Sequence, residues 1–295
     1  MDINDFIISK ADIINEALTI YLPAKEEKPK ALHQAMGYSV LAGGKRLRPV
    51  LTLMVANLLF KKKEEEVLPA AIAIELIHNY SLIHDDLPCM DDDDYRRGKL
   101  TNHKVFGEGI AVLAGDALLT YAFELITQLE GDFTPKQVIK VTKEVAKGAG
   151  HQGMIGGQGA DIVAEGETVS EDELEYIHNH KTGALLKTAV RVGAILGGAN
   201  NEELTALTTY AHNIGLSFQI IDDILDIVGD EEKLGKDVGS DIDRDKATFP
   251  AIYGLEESKR MAKDKIQEAK KILSIFGDDA EPLIELADYI VDREY

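Results

Sequence analysis

One stretch constrains this chain more than any other: Asp85-Asp86-Leu87-Pro88-Cys89-Met90-Asp91-Asp92-Asp93-Asp94. It closes the apolar segment Glu75-Leu76-Ile77-His78-Asn79-Tyr80-Ser81-Leu82-Ile83-His84 and runs into Tyr95-Arg96-Arg97-Gly98. The segment before it is apolar enough to be buried. Its carboxylates must therefore repel one another and raise their own pKa values unless cations join them. Hard oxygen ligands of this kind suit Mg2+, which keeps several waters and shares itself with a phosphate-bearing substrate. Arg96 and Arg97 are then placed to take anionic oxygens that the metal leaves free. Asp85 lies seven residues after His78 and four after Ser81, so the three share a helix face. Asp91 would lie on another face of an unbroken helix, but Pro88 ends the helix and lets Asp91 fold back.

A second acidic cluster, Phe218-Gln219-Ile220-Ile221-Asp222-Asp223-Ile224-Leu225-Asp226, sets Asp222 and Asp226 four residues apart, on one helix face with Phe218 and Gln219. The flanking Ile214, Leu216, Ile220, Ile221, Ile224, Leu225, Ile227 and Val228 point that acidic stripe inward. Helical spacing recurs along the whole chain without sustained β alternation, so the expected class is all-α. Proline and glycine mark the joints, and helices are expected near 3–19, 29–42, 48–60, 67–85, 109–129, 135–158, 171–196, 202–228, 248–274 and 280–292. Ser170 with Glu173 forms a capping box that starts one of them. From there Leu174, Ile177, Lys181, Leu185 and Thr188 fall on one inward stripe, where a lysine is out of place unless it meets an anion.

The totals exclude some functions. With 52 acidic against 32 basic side chains the net charge is −20, which repels nucleic acid and anionic lipid. A polyphosphate substrate feels the same repulsion, so its site needs local cations. The chain's one cysteine, Cys89, rules out an intramolecular disulfide and points to a reducing, cytoplasmic setting. Residues 1–18 lack the basic-then-apolar pattern of a signal peptide. The longest apolar run, Val50 to Phe60, is too short to cross a bilayer, which takes about 20 residues. At 295 residues without an internal break, a single domain over 1–295 is expected. Gly43-Gly44-Lys45-Arg46-Leu47-Arg48-Pro49 is a glycine-opened, cation-rich loop, by itself either a solvated connector or an anion site.

Taken together, Asp85-Asp86 with Asp91 before Arg96-Arg97-Gly98, Asp222-Asp223 with Asp226, and the Gly43–Pro49 loop resemble the motifs of the trans-isoprenyl diphosphate synthases. The likeness runs from about Leu32 to Tyr253. It implies a single helical bundle of about ten or more helices around a central cavity, acting as a homodimer. It also implies Mg2+-dependent head-to-tail condensation of isopentenyl diphosphate with an allylic diphosphate. By this resemblance Lys45, Arg48, His78 and Arg97 hold isopentenyl diphosphate. Arg96, Lys181, Lys236 and Lys246 grip the allylic diphosphate beside the metals. Asp85 and Asp91 ligate two Mg2+ ions and Asp222 a third, with Asp86, Asp223 and Asp226 in support. The oxygens of Thr182 and Gln219 face the carbocation, near Phe218, while Gln158 and Asp161 support Lys181 or line the pocket.

Product length in such an enzyme is set by whatever closes the channel beyond the first motif. Tyr80 lies five residues before Asp85, about 7.5 Å of helix rise away, and Ser81 four before. The pairing resembles bacterial farnesyl diphosphate synthases and points to a farnesyl product, with geranylgeranyl diphosphate as the alternative. Gly37, Tyr95 and the tail Arg293-Glu294-Tyr295 depart from many relatives. Two rivals stand against this reading. Class I terpene cyclases lack the Gly-Gly-Lys loop and use a different second metal motif, and a silent partner subunit is expected to have lost a metal motif.

Overall fold

Helical periodicity organises the chain as expected. A computed structural model describes residues 2–167, 169–228 and 248–292, and over these the fold is all-α apart from one two-residue ladder. In chain order the elements are α1 (Ile3–Tyr21), α2 (Lys30–Val40), α3 (Leu47–Met54, continued by a wider turn over Val55–Leu59) and α4 (Glu64–Asp85). Strands β1 (Tyr95–Arg96) and β2 (Lys99–Leu100) pair antiparallel. Then come α5 (Asn102–Phe106), α6 (Glu108–Thr127), α7 (Pro135–Ala149), α8 (Met154–Ala164), α9 (Glu171–Lys181), α10 (Gly183–Gly197) and α11 (Asn201–Val228). The last three are α12 (Phe249–Tyr253), α13 (Leu255–Ile272) and, after a tight helical stretch over Leu273–Ala280, α14 (Glu281–Asp292).

The chain divides into two compact units. The first comprises Met1–Leu53 and Lys62–Thr142, and its centre is α4 packed along α6, with α1 and α2 beside them. Buried residues ring α4 on every side from Val67 to Tyr80. Both α4 and α6 have the length and apolar composition of a membrane span. Yet α4 buries Glu75 and Asn79 as a bonded pair, with Asn79 Nδ2 donating to Glu75 Oε1 at 3.0 Å. That polar pair suits a protein core rather than a lipid one. The helix starts three residues before the expected Val67, because Glu66 caps the backbone N–H of Lys63. Pro69 lies inside this helix, near its start, where it costs only one hydrogen bond.

The second unit, Met54–Lys61 with Lys143–Tyr295, is built on α10, α11 and α13. Leu174, Leu216, Ile220, Ile221, Ile224, Phe249 and Ala262 form one apolar cluster in it. The Tyr210 hydroxyl, fully buried, donates to the Leu283 carbonyl at 2.8 Å and ties α11 to α14.

Three expected long helices are each broken. The one near 135–158 splits between α7 and α8, where Gly150 to Gly153 form a turn, so the absence of proline there does not keep the helix whole. The one near 171–196 is interrupted at Thr182, a single turn residue with a widened φ of −108° between α9 and α10. The one near 248–274 breaks at Gly254, whose φ of 81° is left-handed. The inward pattern around Asp222 also stops early, for Ile227 is 39% and Val228 53% exposed.

Candidate active site

In the first unit the acidic stretch takes its shape from backbone hydrogen bonds. Helix α4 stops at Asp85, and the chain turns through Leu87 to Met90 so that the Asp91 N–H donates to the Asp85 carbonyl at 2.8 Å. The fold-back expected from Pro88 is present. Asp86, buried at the helix end, accepts from Arg96 Nε at 2.6 Å. Burial pushes the Asp86 carboxyl up to about 6 and its neighbours Asp93 and Asp85 add to this, while Arg96 pulls the other way. Arg96 also reaches Asp93 at 3.5 Å. Asp94 is paired with Lys104 at 2.6 Å, and the Thr101 hydroxyl donates to the Asp93 carbonyl at 2.7 Å.

Arg97 and Gly98, both with positive φ, turn the chain from β1 to β2. The turn carries the Arg97 guanidinium back to the Gly43 carbonyl, 54 residues earlier. A Cβ on Gly44 would sit 2.7 Å from that guanidinium, and Gly44 has a φ of 126°, so glycine is required there twice over. Two basic stretches that are distant in sequence thus form one surface, with Lys45 exposed between them.

His78 reports the charge of that surface. Arg48 Nη1 lies 3.4 Å from His78 Nε2. Burial, then Arg48, Arg97, Arg96 and Arg46, hold the imidazole well below its ordinary pKa, so it is neutral and accepts from Arg48. Of these, Arg48, Arg96 and Arg97 set positive charge around one neutral ring and suit an anion with several oxygens. Arg46 is not itself available to a ligand. It is 3% exposed and bonded to Glu75 Oε1 at 2.5 Å, Asn15 Oδ1 at 3.0 Å and the Val40 carbonyl at 2.6 Å. This buried pair fixes the loop, and the sequence reading missed it. A lone glutamate within an apolar run was the available signal, because a buried carboxylate needs a partner.

One helix turn below Asp85, Tyr80 is buried with its ring edge-on to His84 at 5.6 Å, and its hydroxyl meets no hydrogen-bond partner among the described residues. Burial and then Asp85 push that phenol up to about 12. His84 is fixed by the Val112 carbonyl at 3.0 Å and lies so close over Gly115 that any side chain there would strike it. The Ser81 hydroxyl donates to its own helix at the His78 carbonyl, 2.9 Å away.

In the second unit an open cleft of about 110 Å3 is lined by Asp161, His178, Lys181, Thr182, Gln219 and Asp223, among others. Lys181 ends α9 and pairs with Asp161 Oδ2 at 2.6 Å. Gly157 makes that pair possible, for a Cβ there would fall on the Lys181 backbone, and α8 approaches α9 at this point. Asp161 follows one turn later on the same face of α8. Gln219 Nε2 lies 3.3 Å from His178 Nδ1, and His178 Nε2 faces Asp223 Oδ2 at 3.5 Å. Burial, ahead of the nearby Lys181, pushes His178 down to about 4, with Asp161 opposing. The neutral ring therefore accepts from Gln219 through Nδ1, carries its proton on Nε2, and leaves the Gln219 carbonyl oxygen unclaimed by His178.

His178 was also missed by the sequence reading, although it stands three residues before Lys181 and one after Ile177. Asp223 accepts the Phe249 N–H at 2.9 Å, a bond that holds α12 against α11. Asp223 and Asp226 are buried, while Asp222 and Phe218 are partly exposed on α11. Lys236, Lys246 and the tail from Arg293 lie outside the described residues. No three His, Cys, Asp or Glu side chains among the described residues cage a metal between them. Mg2+ held by one or two carboxylates per motif and by substrate oxygens needs no such cage, and Asp85 with Asp91, and Asp222 with Asp226, fit that mode.

A family model described as polyprenyl synthetase matches residues 29–280. A chloroplastic heterodimeric geranylgeranyl pyrophosphate synthase large subunit 1 of Arabidopsis thaliana is 47% identical, over 99% of this chain and 80% of that protein. A farnesyl diphosphate synthase of Geobacillus stearothermophilus is 46% identical, over 100% of this chain and 99% of that protein. The crystal structure of a geranylgeranyl pyrophosphate synthetase from Pyrococcus horikoshii Ot3 superposes with a TM-score of 0.88 at 35% identity, covering 99% of this chain and 98% of that one.

Proposed function

The chain belongs to the polyprenyl synthetase family, and from that footing we propose that it condenses isopentenyl diphosphate with dimethylallyl and then geranyl diphosphate to give (E,E)-farnesyl diphosphate. Family and relatives support the broader activity, trans-prenyl transfer. The observation that carries the reading furthest is the positive charge of Arg48, Arg96 and Arg97 around a neutral His78 on the helix that ends at Asp85. In this reading Lys45, Arg48, His78 and Arg97 bind the isopentenyl diphosphate head. Arg96 and Lys181, with Lys236 and Lys246, hold the allylic one.

Divalent metal, three Mg2+ ions held by Asp85, Asp91 and Asp222 with their neighbouring carboxylates, would neutralise charge growing on the departing diphosphate. Asp86 and Asp223, already engaged by Arg96 and by the Phe249 amide, keep those residues in place. As the allylic carbon loses its diphosphate it becomes a cation. The Thr182 and Gln219 oxygens face it, and the neutral His178 holds the Gln219 amide so that its carbonyl side is presented. The isopentenyl double bond attacks, and the released diphosphate takes the proton. An apolar channel that excludes water protects the cation from hydrolysis. The whole of 1–295 is read as one catalytic domain and the enzyme as a homodimer in a reducing cytoplasm.

The farnesyl product rests on Tyr80. Its buried ring, braced by His84, suits a floor one turn below Asp85. Geranylgeranyl diphosphate is the second reading, because relatives of that name are as similar as those named for the farnesyl product. Incubating the purified chain alone with isopentenyl and dimethylallyl diphosphates, with Mg2+ and then with chelator, tests both. A C15 product that vanishes with chelator is expected. A C20 product would replace the first reading with the second, and no product from the chain alone would indicate a silent subunit.

A further inference from the structure

A second cavity, of about 270 Å3, opens in the second unit between α7, α9, α10 and α11, and none of its lining residues belongs to the site above. Its walls carry three basic side chains, Lys147, Lys187 and Arg191, against one carboxylate, Glu144. In a chain of net charge −20 this is an unusual concentration of positive charge in one concave place. The carboxylate is already spoken for. Arg191 grips both oxygens of Glu144, at 2.6 Å through Nε and 3.0 Å through Nη2, and turns its remaining Nη1 to the Thr208 hydroxyl at 2.6 Å. Glu144 and Arg191 thus form a fixed, neutral wall.

Lys147, one turn along α7 from Glu144, and Lys187, one turn before Arg191 on α10, remain. Neither makes a hydrogen bond or ion pair with another described residue. Burial, then Arg191, and also Lys147 push the Lys187 amine down, with Glu144 only partly opposing. Two lysines directed at one cavity repel each other, and that repulsion is relieved by an anion between them. Thr188, whose hydroxyl donates to the Ala184 carbonyl at 2.9 Å, and Gln152 add polar lining.

We infer that this cavity is a second, metal-independent oxyanion site that takes a phosphoryl or diphosphoryl group between Lys147 and Lys187. It needs no aspartate motif, so it is separable from prenyl transfer.

Titration calorimetry of the full chain in chelator, with inorganic diphosphate and separately with orthophosphate as probes, tests this. The wild-type chain is expected to show a saturable site for one or both ions that Lys45→Gln leaves intact. The double variant Lys147→Gln/Lys187→Gln should lose that site at least tenfold, and Lys187→Arg should keep it within about threefold. Tighter binding of orthophosphate would assign the site to the smaller ion, and tighter binding of diphosphate to the larger. The double variant should retain prenyl transfer at low anion concentration, a readout that also establishes its folding. No saturable binding to the wild-type chain in chelator, or unchanged binding by the folded double variant, would overturn the inference.

Discussion

Tyr80 separates shape from polarity. Its ring is packed against His84 and its hydroxyl has no hydrogen-bond partner among the described residues, so the hydroxyl adds little that a phenyl ring would lack. Leaving a buried polar group unpaired costs on the order of 1–3 kcal/mol. Tyr80→Phe is therefore expected to keep a C15 product and to be as stable as the parent or up to about 1 kcal/mol more so, by denaturant titration. Tyr80→Ala should lengthen the product towards C20, and unchanged length would remove Tyr80 as the floor. His178 makes a second prediction at this scale. Its folded pKa is depressed to about 4 from an ordinary 6.5, so the stability tied to its neutrality is fully present above pH 6.5. That contribution is lost as the pH falls through this window, because the unfolded chain takes the proton first. The loss is on the order of 3 kcal/mol. Melting in chelator between pH 7 and pH 4 should fall more steeply for the parent than for His178→Gln, and parallel curves would contradict the assignment.

Between elements, close approach decides more than charge. Gly157 lets α8 meet the α9 backbone at Lys181, and the Asp161–Lys181 pair forms only because of that contact. Gly157→Ala should force the two helices apart. Overpacking of this kind typically costs about 1–3 kcal/mol. A fall in affinity for the allylic diphosphate should accompany it, read as a raised KM, and a variant with parental stability and KM would show that the contact is dispensable. The joints that proved hardest to read belong here too. Gly150 to Gly153 and Thr182 break helices that the apolar pattern runs straight through, because periodicity records which face is buried and not whether the axis continues.

Across the whole molecule, the excess of acidic over basic side chains meets two carboxylate motifs, and in the first Asp93 and Asp85 add to the upward push on Asp86. Binding of a cation to the folded chain alone shifts its stability by mass action. Millimolar Mg2+ is expected to raise Tm by a few degrees over a chelator-treated sample, and Asp85→Asn/Asp91→Asn should reduce that shift. An identical Tm with and without Mg2+ would speak against metal at these motifs in the absence of substrate. Size-exclusion chromatography with light scattering tests the expected homodimer, which a mass near 32.3 kDa would reject.

The sequence by itself determined the helical class, the two aspartate motifs, the cationic loop and the break at Pro88. Each is a local pattern of residue type and spacing. Charge placed beside an apolar helical run can be read without knowing where the chain goes next. Only the tertiary structure decided that Arg97 returns to Gly43, that Arg46 is buried on Glu75 while Arg48 meets His78, and that a neutral His178 holds Gln219. These pairings join residues 29 to 54 positions apart, and a helical repeat carries no information about partners at that distance. The two arginines show the physical reason most directly. In sequence they are equivalent cations in one loop, and what distinguishes them is the side chain that packing brings opposite each.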